Sequence, residues 1–246
     1  MNEAIIVRMQ RDLERALLKP ASKRKWVMLV DIRKCTGCHS CSVSCKAENK
    51  TPSGVNYRWV KEVEDGEFPN VARFFMPGLC MQCNDAPCIK ACTGGAIYKR
   101  EDGIVAIDYS KCIGCGGAAT KACPYNALSV DKGNFYTEGT PKEMEYEHGP
   151  VYEYGKKYKR EESSIPVNSC RKCHYCLHRL DAGMLPSCVT TCLGGANYFG
   201  DINDPQSLVY EKAKELKLYT FMESENTKPT TKYVTDSVDL CNKCHG

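Results

Sequence analysis

The chain of 246 residues lacks any apolar run near the roughly 18 residues that a membrane-spanning helix needs, and its mean hydropathy is −0.44. It is therefore not expected to cross a membrane itself. No secretory leader is expected: Ile5, Ile6 and Val7 run at once into Arg8, Arg11 and Asp12, so no apolar h-region develops. A strong charge of one sign is absent, because 34 Lys and Arg face 30 Asp and Glu and leave +4. So small and dispersed an excess gives no nucleic-acid footprint. There is no phosphate-cradling glycine loop, dinucleotide fingerprint or nucleophile–base pair, so no catalytic site is expected in this chain.

Cysteine is what the sequence has in quantity, 18 residues, and most of them fall in runs. The first, Cys35-x2-Cys38-x2-Cys41-x3-Cys45, has the spacing that holds cubane iron–sulfur clusters. Three thiolates on a tight loop cap three corners of a cube, and in two-cluster ferredoxins the fourth, one helical turn on, ligates a different cluster. Zinc is the bland alternative, but its sites pair two separated C-x2-C knuckles. A disulfide lattice would need an oxidising history that this clustering does not suggest. Cores of modest size would leave much of the folding free energy to the metal groups.

Three further runs follow. The second is Cys80-x2-Cys83-x4-Cys88-x3-Cys92, and the fourth is Cys173-x2-Cys176-x11-Cys188-x3-Cys192. The third begins Cys112-Ile-Gly-Cys115 and closes at Cys123-Pro124, the Cys-Pro of bacterial ferredoxins. It is defective: Ala118 stands where a regular unit has cysteine, and one residue is inserted before Cys123. Cys112 and Cys115, with Cys92 if the runs exchange ligands, form an incomplete site. Three thiolates suit a [3Fe-4S] cluster or a [4Fe-4S] cluster with a non-cysteine ligand, and an empty site is the alternative.

Cys170, Cys241 and Cys244 fall outside the runs. Cys170 reads as a buried thiol or a spare ligand, the former being the more economical. The tail Cys241-Asn-Lys-Cys244-His245 matches the C-x-x-C-H attachment pattern of haem c, with His245 as an axial ligand. Only Gly246 follows it, and no local apolar segment can bury a haem. A further metal-ligand set, with Cys170, and an unliganded tail are the other readings.

Between the runs, Ile5, Met9, Leu13 and Leu17 recur every four residues up to Pro20, an amphipathic helix that packs on its own domain or on a partner subunit. Strands are expected over residues 25–31 and 103–108, and a polar surface connection over 51–70. Residues 135–169 form a Tyr- and Lys-rich insertion with a hairpin around Pro150–Tyr154. Residues 201–218 read as a helix capped near Asn203 or Asp204, with Pro205 in its first turn, followed by a polar tail.

Motif order makes the chain resemble the iron–sulfur (beta) subunits of DMSO-reductase-family molybdopterin oxidoreductases, of the polysulfide, thiosulfate, tetrathionate and arsenate reductase type. The resemblance covers roughly residues 25–235. It is carried by Lys34–Cys41, Cys80–Cys88, Lys99–Ile104, Cys112–Cys115, Ala122–Tyr125 and Phe199–Pro205. It implies an α+β fold of two pseudo-repeated bacterial-ferredoxin-like domains with an inserted hairpin and a C-terminal extension. The parts would be residues 1–24 (N-terminal helix), 25–69 with 166–202 (domain 1, runs one and four), 70–135 (domain 2, runs two and three), 136–165 (insertion) and 203–246 (helix and tail). It also implies the ligand sets: Cys35, Cys38 and Cys41 with Cys192; Cys45 with Cys173, Cys176 and Cys188; Cys80, Cys83 and Cys88 with Cys123; and Cys92 with Cys112 and Cys115.

The function implied is electron transfer. Three [4Fe-4S] clusters and one altered cluster would relay electrons between a Mo- or W-bis(pterin) catalytic subunit and a membrane-anchor or cytochrome partner in anaerobic respiration. Two other readings stay open: a subunit of a hydrogenase or formate dehydrogenase, and small-molecule chemistry at an open iron of the Cys92/Cys112/Cys115 site. Export of the folded chain with a leader-bearing partner would place it on the extracytoplasmic face of the membrane. An unmodified tail would favour the cytoplasm instead.

Overall fold

The computed structural model describes residues 4–134, 151–153, 156–158 and 167–236. Helices and strands are mixed along the chain, and most helices are single turns beside a cysteine. At the centre is β1 (Trp26–Asp31), whose six residues are all buried. A strand covered on both faces reads as a continuous apolar run, as Trp-Val-Met-Leu-Val does here. It pairs antiparallel with β10 (Asn197–Asp201) and parallel with β12 (Thr231–Val234), which in turn pairs with β11 (Leu218–Tyr219).

Helix α1 (Ile5–Leu17) lies over β10 and buries Met9, Leu13 and Ala16. It therefore packs on its own chain. The stripe is rotated from the expected one, for Ile5 is exposed and Ala16 is buried where Leu17 is only partly so. The rotation brings Asp12 inward, where its Oδ2 accepts the N–H of Leu208 at 2.8 Å.

Three expectations are corrected. Residues 51–70 are not simply a surface connection: β2 (Arg58–Asp65) and β3 (Ala72–Leu79) form a hairpin in register from Arg58↔Leu79 to Asp65↔Ala72. Its far half is exposed, so its composition is that of a loop. The helix expected from residue 201 begins later, as α7 (Leu208–Glu215). Its cap is Ser207, whose Oγ accepts from Tyr210 N at 3.2 Å, while Asp204 accepts from Gln206 N and pairs with Arg15. The polar tail hides β12, in which Thr231, Tyr233 and Val234 are buried. Ser207→Ala removes the cap and is expected to lower stability by about 1 kcal/mol, seen as a drop of a few degrees in Tm of the holoprotein.

The strand expected over 103–108 is β5 (Val105–Ile107), which pairs with a further strand, β4 (Ile97–Lys99), and the expected hairpin is β7 (Val151–Glu153) paired with β8 (Lys156–Tyr158). The rest of the insertion and the tail motif Cys241, Cys244 and His245 lie outside the described residues. Among the described residues no helix is long and apolar enough to cross a membrane.

Candidate metal centres

All sixteen cysteines among the described residues are free thiols. The fold gathers them into four sets. At centre 1, Cys35 lies beside Cys41 and Cys192, with Cys38 on the same loop. The loop turns through Gly37 at φ +68°, where an added Cβ would run into the ring of Phe75 on β3. Only glycine lets the loop take this path against the hairpin. The hydroxyl and N–H of Ser40 hold the exposed Cys38 thiol below its ordinary range.

Centre 2 joins Cys45 of α2 (Ser40–Asn49) to Cys173, Cys176 and Cys188. Burial pushes the Cys45 thiol far up, and the three neighbouring thiols add to that. Asn49, wholly buried, turns its amide Nδ2 toward the sulfurs of Cys45 (3.4 Å) and Cys176 (3.8 Å).

Centre 3 is a small cavity lined by Cys80, Cys83, Cys88 and Cys123 among mostly apolar side chains. Burial pushes the Cys83 thiol up to about 11 and that of Cys88 to about 12. The C-terminal segment clamps its loop: Asp85 N donates to Thr227 O at 3.0 Å and Thr230 N to Met81 O at 3.1 Å.

Centre 4 is a small cavity lined by Cys92, Cys112 and Cys115. The sequence leaves this set one thiol short, but the structure brings Cys170 into the same lining.

Centres 1 and 2 adjoin through Cys41 and Cys188, and centres 2 and 3 through Cys173 and Cys80. Helix α3 (Pro87–Lys90) carries Cys88 into centre 3 and leads to Cys92 of centre 4. Cysteines of centres 2 and 3 are buried throughout, whereas centres 1 and 4 each hold partly exposed ones.

Buried cations stand at the junctions, and the sequence gives no sign of the first. Arg58 is 2% exposed and near the sulfurs of Cys41 and Cys188. Burial opposes its charge, yet Cys188, Cys41 and Tyr233 together more than offset this and raise its pKa. Its Nη2 donates to Asn197 Oδ1 at 2.6 Å. Lys172, fully buried, donates from Nζ to the carbonyls of Val105 and Cys173. It lies near thiols of centre 2 (Cys173), centre 3 (Cys88, Cys123) and centre 4 (Cys170). The signal for Lys172 is its place between two cysteines, Cys170-Arg-Lys-Cys173.

This donor set fits polynuclear iron–sulfur groups. Among the described residues no three His, Cys, Asp or Glu side chains stand close enough together to hold a single metal ion. Backbone N–H groups point at sulfur besides: Ile97 N to Cys92 (3.4 Å), Ala196 N to Cys192 (3.2 Å) and Tyr175 N to Cys173 (3.5 Å). Such bonds stabilise negative charge on a thiolate-bound cluster.

Comparison with known proteins agrees. A 4Fe-4S dicluster domain matches residues 71–139 and 152–202. A selenate reductase subunit of Mesobacillus selenatarsenatis is 52% identical over 234 residues, covering 95% of this chain and 80% of that protein. The arsenate respiratory reductase iron-sulfur subunit of Shewanella sp. is 33% identical, covering 84% of this chain and 94% of its own. A polysulfide reductase chain of Wolinella succinogenes is 32% identical, over 84% and 92%. The chain belongs to the iron–sulfur subunits of the DMSO reductase family, the electron-transfer subunits of respiratory reductases that carry 4Fe-4S clusters.

Proposed function

We propose that the chain is a relay of four centres, with [4Fe-4S] clusters ligated by Cys35/Cys38/Cys41/Cys192, Cys45/Cys173/Cys176/Cys188 and Cys80/Cys83/Cys88/Cys123, and a fourth cluster on Cys92, Cys112 and Cys115. Two ferredoxin-like halves, exchanging Cys45 for Cys192 and Cys92 for Cys123, would each hold two. The observation that carries this reading is the grouping itself: sixteen cysteines, none in a disulfide, in four adjoining sets, with ligands that are not fully buried only at centres 1 and 4.

When bound, such clusters supply one-electron redox chemistry at iron. The residues of the chain do the rest. Thiolates hold the metal, the amides of Asn49, Ile97, Tyr175 and Ala196 donate to sulfur, and burial excludes water from centres 2 and 3. Arg58 and Lys172 favour the reduced, more negative state of the centres they touch.

Both ends suit protein partners. Val43 (66% exposed) and Leu193 (78%) flank the ligands of centre 1, and Ile113 (77%) follows Cys112 of centre 4. Apolar side chains beside exposed redox ligands favour close docking. One end would meet a Mo- or W-bis(pterin) catalytic subunit and the other a membrane-anchor or cytochrome subunit. The relatives named for selenate, arsenate and polysulfide reductases make an anaerobic respiratory complex the one to test. At the tail, covalent haem on Cys241 and Cys244 would add a carrier, and the mass of the C-terminal peptide decides it.

Iron and sulfide analysis with EPR on the anaerobically purified complex tests the relay. About fifteen or sixteen irons per chain are expected, with interacting [4Fe-4S] signals on reduction. Zinc in place of iron, or fewer than about eight irons, would reject it.

A further inference from the structure

The third cysteine run lacks a ligand at position 118, where Ala118 opens helix α4 (Ala118–Lys121). The chain before it is bent: Cys115, Gly116 and Gly117 take φ of 41°, 56° and 76° in succession. The wall of centre 4 that a regular run would supply is instead met by β9 (Cys170–Lys172), which pairs with β6 (Leu128–Val130) so that Cys170 stands opposite Val130.

Several observations put the Cys170 sulfur at this centre. Cys170 is 4% exposed and lines the same cavity as Cys92, Cys112 and Cys115. Its backbone N–H donates to Cys112 Sγ at 3.4 Å. The two segments touch without slack, since a Cβ on Gly114 (φ +75°) would collide with the carbonyl oxygen of Asn168. This cavity, like that of centre 3, is lined by four thiols. Its remaining lining is Ala96, Ile97, Lys111, Ile113, Gly114 and Ala119, with no carboxylate and no histidine. Lys111 is a cation and no ligand to iron. A buried inert thiol would sit among apolar side chains, whereas the neighbours of Cys170 are three thiols facing one cavity.

We propose that Cys170 is the fourth ligand of centre 4, so that Cys92, Cys112, Cys115 and Cys170 form a complete four-thiolate [4Fe-4S] site. The ligand lost at position 118 is replaced from a different strand, about 50 residues further along the sequence. Centre 4 is then neither a three-iron cluster nor one with an open iron, which removes the small-molecule reading of this site. And Cys170 and Cys173, separated only by Arg171 and Lys172, tie centre 4 to centre 2 by one short strand.

This assignment rests on the relay reading, and the test separates the two. The complex is purified anaerobically as wild type, Cys170→Ala and Cys170→Ser, and iron content and EPR are measured as isolated and after dithionite. The wild type is expected to hold about sixteen irons per chain and no three-iron signal. Cys170→Ala is expected to lose about one iron and gain the signal of an oxidised three-iron cluster. Cys170→Ser, whose oxygen can still ligate, is expected to keep the iron with a shifted potential at one centre only. A three-iron signal in the wild type, or unchanged iron and EPR in Cys170→Ala, overturns the assignment and leaves the relay standing. Absence of iron from the wild type overturns both. Should the variants fail to fold, wild-type protein labelled at the cysteine β-carbons decides: hyperfine-coupled signals from Cys170 support the assignment, and their absence overturns it.

Discussion

Removing iron is expected to unfold the chain as well as silence it. Ten of the sixteen described cysteines are buried, so the metal centres occupy the places where a larger protein has apolar core. Arg58 and Lys172 make the argument quantitative. Both are buried: Arg58 bonds Asn197 Oδ1, Met28 Sδ and the sulfur of Cys41, and Lys172 bonds two backbone carbonyls. Their counter-charge would come from the thiolates and clusters of the centres they adjoin. A buried charge stripped of its counter-charge costs about 3–5 kcal/mol. Two such charges alone approach the roughly 5–15 kcal/mol by which whole domains are stable, before the cysteine-lined cavities are counted. Anaerobic chelation of the oxidised protein should therefore abolish the near-UV circular dichroism and the cooperative thermal transition, and amide protons of β1 should lose their protection. A chelated chain that melts cooperatively at the original Tm would show that packing, and not ligation, holds the fold.

The cysteine runs are legible in the sequence because ligation geometry acts locally: a thiolate at i, i+3 and i+6 on one loop needs no knowledge of the rest of the chain. The exchange of Cys45, Cys92, Cys123 and Cys192 between sets comes from the resemblance; spacing alone does not give it. Beyond this the sequence is silent where neighbours are distant. Cys170 reads as a stray thiol because its companions are 55 or more residues away in the chain. Arg58 carries no mark of burial, for it opens a strand whose later residues alternate with solvent. The strand Thr231–Val234 lies in a polar tail and is fixed by its partners Met28–Asp31, with no apolar period of its own. The helix at residue 208 is expected too early because Asp204 and Pro205 look like a cap and first turn, while the Asp204 carboxylate is in fact committed to Gln206 N and Arg15.

Arg58→Met is expected to lower the midpoint potentials of centres 1 and 2 and to leave centre 4 unmoved. Methionine keeps much of the length and the apolar stem, and replacing a buried ion by a similar apolar volume is often tolerated. What disappears is a unit positive charge beside Cys41 and Cys188. A charge a few ångströms from a redox group, at an effective dielectric constant of about 20, contributes on the order of 2–3 kcal/mol. For a one-electron couple that is roughly 100 mV. The sign follows from charge: reduction adds an electron, the cation stabilises the added electron, and its loss makes reduction harder. Asn197 loses one donor but keeps its bond from Nδ2 to Cys188 O at 3.0 Å, which limits the rearrangement. Lys172→Met provides the contrast, because its charge lies near centres 2, 3 and 4. Potentiometric EPR titration of the two variants should therefore move different subsets, with centre 2 shifted in both. Equal shifts at all four centres in either variant would mean that the effect comes from general loosening of the fold. No shift at centres 1 and 2 in Arg58→Met would mean that the arginine is a structural strut whose charge the clusters do not feel.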